Sequence, residues 1–425
     1  MSADILHPGH LNIIREGLKY GTVVVGLMTD EALATYKRVP FMNYDQRYAV
    51  VSSVSGVSEV IPQSTLDYRP NLHKLRPDYM VHASDWRQGV MSKMREQAFE
   101  VIQEWGGQLI EPEYTEGISS TDLQRKVEKA GVSPVWRLER LQKIIATNKL
   151  TRVLEAHDGL SALIVERSEY KADGKKPEQF DAIWVGSLTD SLAKGKPDIE
   201  VVDTSSRLAT INEILEVTTK PIMFDGDTGG QKEHFVHLVR TLERLGVSAV
   251  VIEDKTGLKR NSLHNDMTEH TQEDIDVFSA KIKAGVAVKR HDEFMIIARI
   301  ESLIITGDQD DALKRAKAYI AAGASAIMIH SKDKSGSDVK LFAEGYAMLT
   351  NRPPLMVVPT SYSSIYEDEL AEWGVSITVY ANQLLRSAYP AMQQAAQTIL
   401  QTKRGAEVDS VAASVEDMLK LFPDS

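Results

Sequence analysis

From Arg137 onward the chain repeats one device: a short apolar run rich in β-branched residues, a polar or charged end, then a helical stretch. The runs are Ala182-Ile-Trp-Val185, Pro221-Ile-Met-Phe224, Ser248-Ala-Val-Val-Ile252, Met295-Ile-Ile-Ala298, residues 324–329, Leu355-Met-Val-Val358 and residues 376–380. Runs that are apolar throughout suit strands buried on both faces, and strands separated by helical crossovers pair in parallel. Repetition of this unit predicts a TIM-like (β/α)8 barrel, with its chemistry at the C-terminal strand ends, where this chain keeps its polar residues. The first part has a related rhythm: an apolar run over 22–28, a helical stretch over 44–53, then runs at 57–61, 79–82 and 107–111. It predicts a doubly wound, Rossmann-like nucleotide-binding domain. Turn chemistry in Gly131-Val-Ser-Pro134 sets the boundary. The expected division is a nucleotide-binding domain over 1–130, a linker over 131–150 and the barrel over 151–425.

Composition limits the chemistry. With no cysteine there is no disulfide, thiolate metal site or cysteine nucleophile, so any metal must sit on oxygens or imidazoles. A formal net charge of -11 disfavours a nucleic-acid surface but leaves room for basic pockets that take small anions. No run of about eighteen apolar residues and no secretory signal pattern is present, so the expectation is a cytoplasmic protein with no membrane partner.

Acids cluster at the predicted strand ends. Asp225-Gly-Asp227 places two carboxylates two residues apart, on one face of the strand end, because strand side chains alternate with period two. Glu253-Asp-Lys255 ends the next run. Oxygen donors of this kind suit Mg2+, which keeps several waters and needs only one or two direct carboxylates. An Asx-rich turn capping the following helix is the other reading of the same aspartates. The loop 256–264 is cationic and carries Asn and Ser donors, a combination that fits an anionic substrate or merely a solvated surface. Ile297-Ala-Arg299-Ile-Glu301 offers a guanidinium for a phosphoryl group, or a structural ion pair.

Trp184, Lys194-Gly-Lys-Pro-Asp198, Asp225-Gly-Asp227-Thr-Gly, Glu253-Asp-Lys255 with Lys259-Arg-Asn261-Ser262, Ala298-Arg299-Ile-Glu301 and His330-Ser331-Lys332 together resemble the phosphoenolpyruvate mutase family of the isocitrate lyase superfamily. The resemblance is ordered and covers nearly all of the second domain. It implies Mg2+, with Asp225 as the direct ligand and Asp227 and Glu253 in its water-linked shell. It also implies that Trp184, Gly186, Ser187 and Leu188 form the substrate-binding strand end, with backbone groups of the last three orienting a carboxylate. Arg299, Asn261, Ser262 and His330 would hold the phosphoryl group and Lys259 would organise a closing loop. Asp198 falls near the reacting centre, as an electrostatic positioner or a transient nucleophile. The implied reaction interconverts phosphoenolpyruvate and phosphonopyruvate. Phosphonopyruvate hydrolase is the nearest rival, and Asn261 favours the mutase. A carbon-carbon lyase is disfavoured because that branch carries a cysteine-bearing loop. The family forms helix-swapped dimers paired into tetramers, which implies a homo-oligomer here.

In the first part, His7-Pro8-Gly9-His10 opens a helical stretch, where imidazoles and free backbone amides meet phosphates. Ser119-Ser120-Thr121 opens a later one. With Lys37, Arg47 and His82-Ala-Ser-Asp85-Trp86 they resemble the cytidylyltransferase family, which joins CTP to a phosphorylated or phosphonylated alcohol. The resemblance implies that His7 and His10 stabilise the α-phosphoryl transition state, that Ser120, Thr121 and Lys37 bind phosphate, and that Asp85 and Trp86 shape the nucleotide pocket. Family members carry an apolar strand just before this histidine segment. Here Met1 stands at that junction, so the first strand of the sheet is expected to be missing. A binding or oligomerising module without turnover is the alternative for this domain.

Overall fold

The computed structural model describes every residue except 36–39, 88–90, 114–132, 173–176, 258–260, 263–270 and 423–425. Strands are numbered here along the chain. In the N-terminal region, β1 (Val23–Met28) pairs in parallel with β2 (Val57–Gln63), and β3 (Tyr79–Val81) with β4 (Gln108–Ile110). The helices Tyr44–Ser52, Arg69–Leu75 and Ser92–Gln103 lie between them in sequence, as the βα rhythm requires, and the helix Pro8–Leu18 precedes β1. Among the described residues the pairs do not merge into one sheet; each is a separate two-stranded unit. Met1 also lies alongside β1, donating from its amino group to Gly26 O (2.6 Å) and accepting from Met28 N (3.0 Å). Small cores follow from the split, one around Ile14, Val25, Leu27 and Val51, another around Leu72, Trp86, Ala98 and Val101, and a third at Met28, Ala32 and Leu33.

The second region is a closed barrel of eight parallel strands: β5 (Thr151–Glu155), β6 (Ala182–Val185), β7 (Ile222–Asp225), β8 (Ala249–Glu253), β9 (Met295–Ile300), β10 (Ala326–Ile329), β11 (Leu355–Val357) and β12 (Ile377–Tyr380). They pair in chain order, and β12 returns to β5 through Thr378↔Arg152 and Val379↔Val153. Seven of these strands coincide with the apolar runs. The eighth, β5, is hidden in the sequence by its charges: Arg152 turns outward and pairs with Glu178 and Glu367, while Val153 faces in. Alternation therefore gives two cores. Val153, Trp184, Met223, Val251, Ile297, Met328, Met356 and Val379 fill the barrel, and Leu154, Ile183, Phe224, Ile252, Ala298 and Ile329 pack against the surrounding helices.

Within the expected linker, 131–150, the described residues include the helix Pro134–Thr147, capped by Ser133. Its Leu141 enters the interior core of the barrel and Leu138 the outer one, while Gln142 Nε2 donates to the carbonyls of Asp292 and Glu293 just before β9. The helix thus plugs the N-terminal mouth of the barrel, opposite the strand ends that carry the acids. Its apolar stripe of Leu138, Leu141 and Ile144 is the physical reason it packs rather than spans. It also meets the N-terminal region, through Lys143 Nζ on Phe41 O (3.0 Å) and a Phe41–Trp136 ring contact at 5.8 Å.

Candidate active site

The C-terminal ends of β6 to β10 deliver the polar residues to one mouth of the barrel. Trp184 is the interior end residue of β6, and Gly186 follows where the chain turns into the helix Ser187–Ala193. A side chain at Gly186 would sit 2.6 Å from Trp184 Nε1, so the turn requires glycine. Ser187 donates from N (3.4 Å) and Oγ (3.1 Å) to Asp225 Oδ2, joining this turn to the end of β7.

Asp225 ends β7, but the strand does not continue: Asp227 has φ +53, a left-handed conformation in which Asp is one of the tolerated residues. The two aspartates are therefore not a period-two pair on one strand face. Asp227 N donates to Asp225 Oδ1 (3.1 Å), and Asp227 Oδ2 accepts from Arg207 (2.8 Å). Gly226 allows the tight crossing, since a Cβ there would lie 2.8 Å from Val250 Cγ2 and 3.0 Å from Val251 O. Lys281, from the helix Ile275–Val288, fixes the far side of the loop through Thr228 O (2.8 Å).

Glu253 ends β8 and is buried between two cations, Lys255 Nζ at 3.1 Å from Oε1 and Arg299 NH1 at 3.3 Å from Oε2. Arg299 meets Glu301 Oε1 at 2.5 Å through Nε and donates to Ser262 Oγ (2.8 Å) through NH2. The same hydroxyl accepts from Lys255 (2.9 Å) and donates to Glu301 Oε2 (2.5 Å). So the ion pair of Arg299 with Glu301 exists, and it holds the guanidinium plane in place beside Ser262. Burial opposes the charge on Arg299, but Glu301, Glu253 and Asp225 outweigh it and hold the guanidinium firmly protonated. Glu301 is likewise kept ionised against burial, by Arg299 and Lys255. His330, just past β10, goes the other way: burial and then Arg299 push it down to about 3, so it is a neutral imidazole at ordinary pH. Its Nδ1 is buried with no hydrogen-bond partner among the described residues. Asn261 donates from Nδ2 to Asp198 Oδ2 (2.9 Å), and Asp198 is itself buried.

The sequence-derived set therefore converges: Trp184, Gly186, Ser187, Asp225, Asp227, Glu253, Asn261, Ser262, Arg299 and Asp198 are linked by direct contacts or by chain continuity, with Leu188 and His330 on the adjoining segments. Lys259 lies outside the described residues. Among the described residues, no three His, Asp or Glu side chains stand close enough to hold a metal by themselves. The donor set at Asp225, Asp227 and Glu253 fits a hard cation bound by one carboxylate and reached by the others through water. Arg207 was missed by the sequence analysis although it touches Asp227 and approaches Asp190 at 3.6 Å. Its signal was present: with Thr210, Ile211 and Ile214 it lies on the buried stripe of the helix Thr204–Leu215, a position where a cation needs a partner.

In the N-terminal region, His7 and His10 cap the helix Pro8–Leu18 reciprocally. His7 Nδ1 accepts from Gly9 N (3.2 Å), His10 Nδ1 accepts from His7 N (3.3 Å), and the rings lie 3.9 Å apart. Asp85 and Trp86 fall on a short 3-10 turn, Ser84–Arg87. Trp86 is only 1% exposed, stacks on His82 at 3.8 Å and donates to Glu111 (2.7 Å), so it supports the surrounding loop from within. Lys37, Ser120 and Thr121 lie outside the described residues. Glu111 gathers Arg95, Arg87 and Trp86, which pull its carboxyl down to about 2 from an ordinary 4.5. A depressed value means stabilisation that is complete above pH 4.5 and lost as pH falls toward 2. We expect Glu111→Gln to lower the melting temperature of this region by about 3–6 °C at pH 7. Melting curves across pH should show the gap from wild type closing on acidification, and a gap that persists at pH 2 would exclude the carboxylate as its cause.

Comparison with known proteins agrees with both halves. Residues 141–400 match the family described as phosphoenolpyruvate phosphomutase, and residues 2–126 match a cytidylyltransferase-like family. A phosphoenolpyruvate phosphomutase from Tetrahymena pyriformis is 34% identical over 69% of this chain and 93% of its own length. A phosphonopyruvate hydrolase from a Variovorax strain is 30% identical over 67% of this chain and 94% of its own. Among solved structures, a phosphoenolpyruvate phosphomutase from Streptomyces platensis superposes with a TM-score of 0.62 at 33% identity, covering 67% of this chain and 94% of that one. With its barrel matched over most of its length and its mouth built from the residues just described, the chain belongs to the phosphoenolpyruvate phosphomutase family and carries a cytidylyltransferase-like domain at its N-terminus.

Proposed function

We propose that the barrel interconverts phosphoenolpyruvate and phosphonopyruvate. The observation that carries this reading is the buried Arg299–Ser262–Lys255 cluster, which stands beside the carboxylates at the ends of β7 and β8. A dianionic phosphoryl group and an enolate need opposite surroundings within a few ångströms, and this mouth supplies both. The transfer is intramolecular: the bond from phosphorus to the enol oxygen breaks, a bond from phosphorus to C3 forms, and nothing else is consumed. Arg299, Ser262, Asn261 and neutral His330 hold the phosphoryl oxygens. Backbone groups of Gly186, Ser187 and Leu188 orient the carboxylate, with Trp184 beneath them. Asp225 is the residue we assign to Mg2+ directly, with Asp227 and Glu253 reaching it through water. When bound, Mg2+ supplies positive charge for the enolate oxygen. To Lys259 we assign a guarding role, in which it would help exclude the water that turns a mutase into a hydrolase. Asp198, bonded to Asn261, stands beside the reacting centre.

Phosphorus NMR of the protein with Mg2+ and phosphonopyruvate tests this. Phosphoenolpyruvate is the expected product, because the equilibrium runs in that direction. Inorganic phosphate appearing first would mean a phosphonopyruvate hydrolase and would overturn the mutase reading.

For the N-terminal domain we infer transfer of CMP from CTP to a phosphonate, with His7 and His10 at the transferring phosphorus, Lys37, Ser120 and Thr121 on the phosphates, and Asp85 beside the nucleotide on a loop that buried Trp86 shapes from within. Together the domains make a bifunctional cytoplasmic enzyme of phosphonate biosynthesis, whose partners are these small molecules rather than nucleic acid or membrane. No helix among the described residues is long and apolar enough to cross a membrane. A homo-oligomer, dimer or tetramer, is supported by the helix Gln383–Thr402, which has no buried residue and exposes Tyr389 (64%) and Leu400 (68%). Light scattering should give a multiple of the chain mass, and removal of residues 383–425 should reduce it to the monomer. A monomeric full-length chain at micromolar concentration would refute the assembly.

A further inference from the structure

Asp254 stands between two residues of the site, Glu253 and Lys255, and its side chain points the opposite way, into the layer between barrel and helices. It is fully buried, 0% exposed. Four donors converge on its carboxylate. Glu301 N reaches Oδ1 at 2.9 Å, while Tyr319 OH (2.8 Å), Arg315 NH1 (3.1 Å) and Gln272 Nε2 (3.0 Å) reach Oδ2. Its backbone is engaged as well: Asp254 N donates to Arg299 O (3.1 Å), and Asp254 O accepts from Glu273 N (2.8 Å). Secondary bonds close the group, with Arg315 NH1 on Glu273 O (2.8 Å) and Gln272 Nε2 on Ser302 Oγ (2.9 Å).

Three pieces of chain meet here. One is the end of β9, which carries Arg299 and Glu301. Another is residues 271–273, where the chain returns after the segment holding Asn261 and Ser262; Thr256 N on Thr271 O (2.9 Å) ties the two ends of that segment together. The third is the helix Gln309–Ala321, which supplies Arg315 and Tyr319. A well-packed apolar residue would fill the same space without the desolvation penalty of a buried charge. What it could not do is fix the direction of the Glu301 amide, and Glu301 in turn holds Arg299 and Ser262. None of the partners of Asp254 comes from β6 or β7, which carry Gly186, Ser187 and Asp225.

The geometry points to Asp254, backed by Tyr319, Arg315 and Gln272, as a positioning residue that sets the phosphoryl-holding half of the pocket and leaves the half built on β6 and β7 untouched. This rests on the functional reading above. Asp254→Asn keeps the shape but turns one acceptor into a donor facing donors. Two ligands separate the halves: oxalate, which has no phosphoryl group, and phosphoenolpyruvate, which does. By calorimetry with Mg2+, we expect Asp254→Asn to bind oxalate within about twofold of wild type and phosphoenolpyruvate about tenfold more weakly. Conversion of phosphonopyruvate should fall roughly 10- to 100-fold in kcat, the scale of a small misplacement at a reacting centre. Tyr319→Phe removes a single donor and should show the same asymmetry at about a third of the size on a logarithmic scale; it carries the test if the asparagine variant does not fold. Parallel loss of both affinities would mean general loosening and would overturn the assignment, as would two unchanged affinities in folded Asp254→Asn. A wild-type protein that binds phosphoenolpyruvate but converts no phosphonopyruvate would sink the functional reading instead, and the affinity ratio would still decide the role of Asp254.

Discussion

Arg299→Lys will fold and bind Mg2+ as the wild type does, yet lose about a thousandfold in kcat/KM for phosphonopyruvate, the scale of deleting a preorganised donor at a reacting group. The guanidinium has three simultaneous neighbours: Glu301 through Nε, Ser262 through NH2 and Glu253 near NH1. A fork held on two edges presents its remaining N–H groups in a fixed direction, which suits a tetrahedral phosphoryl group. Lysine keeps the charge, so Glu253 and Glu301 are not left as buried, uncompensated carboxylates, and folding is spared the large penalty such a loss carries. One ammonium cannot reproduce the fork. Phosphorus NMR gives the rate and circular dichroism the fold. A folded lysine variant within about tenfold of wild type would show that charge alone matters at this position, and the phosphoryl-holding role would fall.

His10→Ala will remove CTP turnover with a phosphonate acceptor, by at least about a hundredfold, within the range of a positioned imidazole acting on a transition state. The reason lies in the tautomer. Both imidazoles accept a backbone N–H at Nδ1, which places the proton of a neutral ring on Nε2. Each ring is thereby a donor aimed by its own helix cap, at the positive end of the helix Pro8–Leu18, where phosphate oxygens are favoured. The same contact makes His10 structural, since it closes the capping box with His7. Removing a capping group costs about 1 kcal/mol, a small effect to be read by thermal melting, whereas loss of catalysis would exceed it by far. CTP consumption that persists in folded His10→Ala would refute the site and leave the domain as a binding module.

Much of the barrel was legible because its strands are buried on both faces and read as unbroken apolar runs. Val250, Ile252, Ile296 and Ile327 face the helices while Val251, Ile297 and Met328 face the interior, so neither face tolerates charge. β5 escaped because Arg152 and Glu155 interrupt its run, and each is satisfied by a partner far along the chain, Arg152 by Glu367 and Glu155 by Leu385 N. The helix Pro134–Thr147 escaped for a related reason: its amphipathic stripe has a target only once the barrel exists to be plugged. In the N-terminal region the strands were recognisable one by one, but nothing local shows that they divide into two separate pairs.

The site divides along the same line. The sequence by itself determined which chemistry was available: acids at the ends of β7 and β8, an arginine on β9, a histidine after β10, and no thiol anywhere. These follow from residue type and from alternation along a strand, which are local properties. Only the tertiary structure decided how they are used. Asp225 and Asp227 part company because the backbone at Asp227 turns left-handed, and Arg207 arrives from a helix twenty residues upstream to take Asp227. Ser262 becomes the meeting point of Arg299, Lys255 and Glu301 because β8 and β9 lie side by side with Glu253 opposite Arg299. Charge pairs of this kind are set by distances across the barrel of a few ångströms between residues dozens of positions apart, and those distances exist only after the sheet has closed.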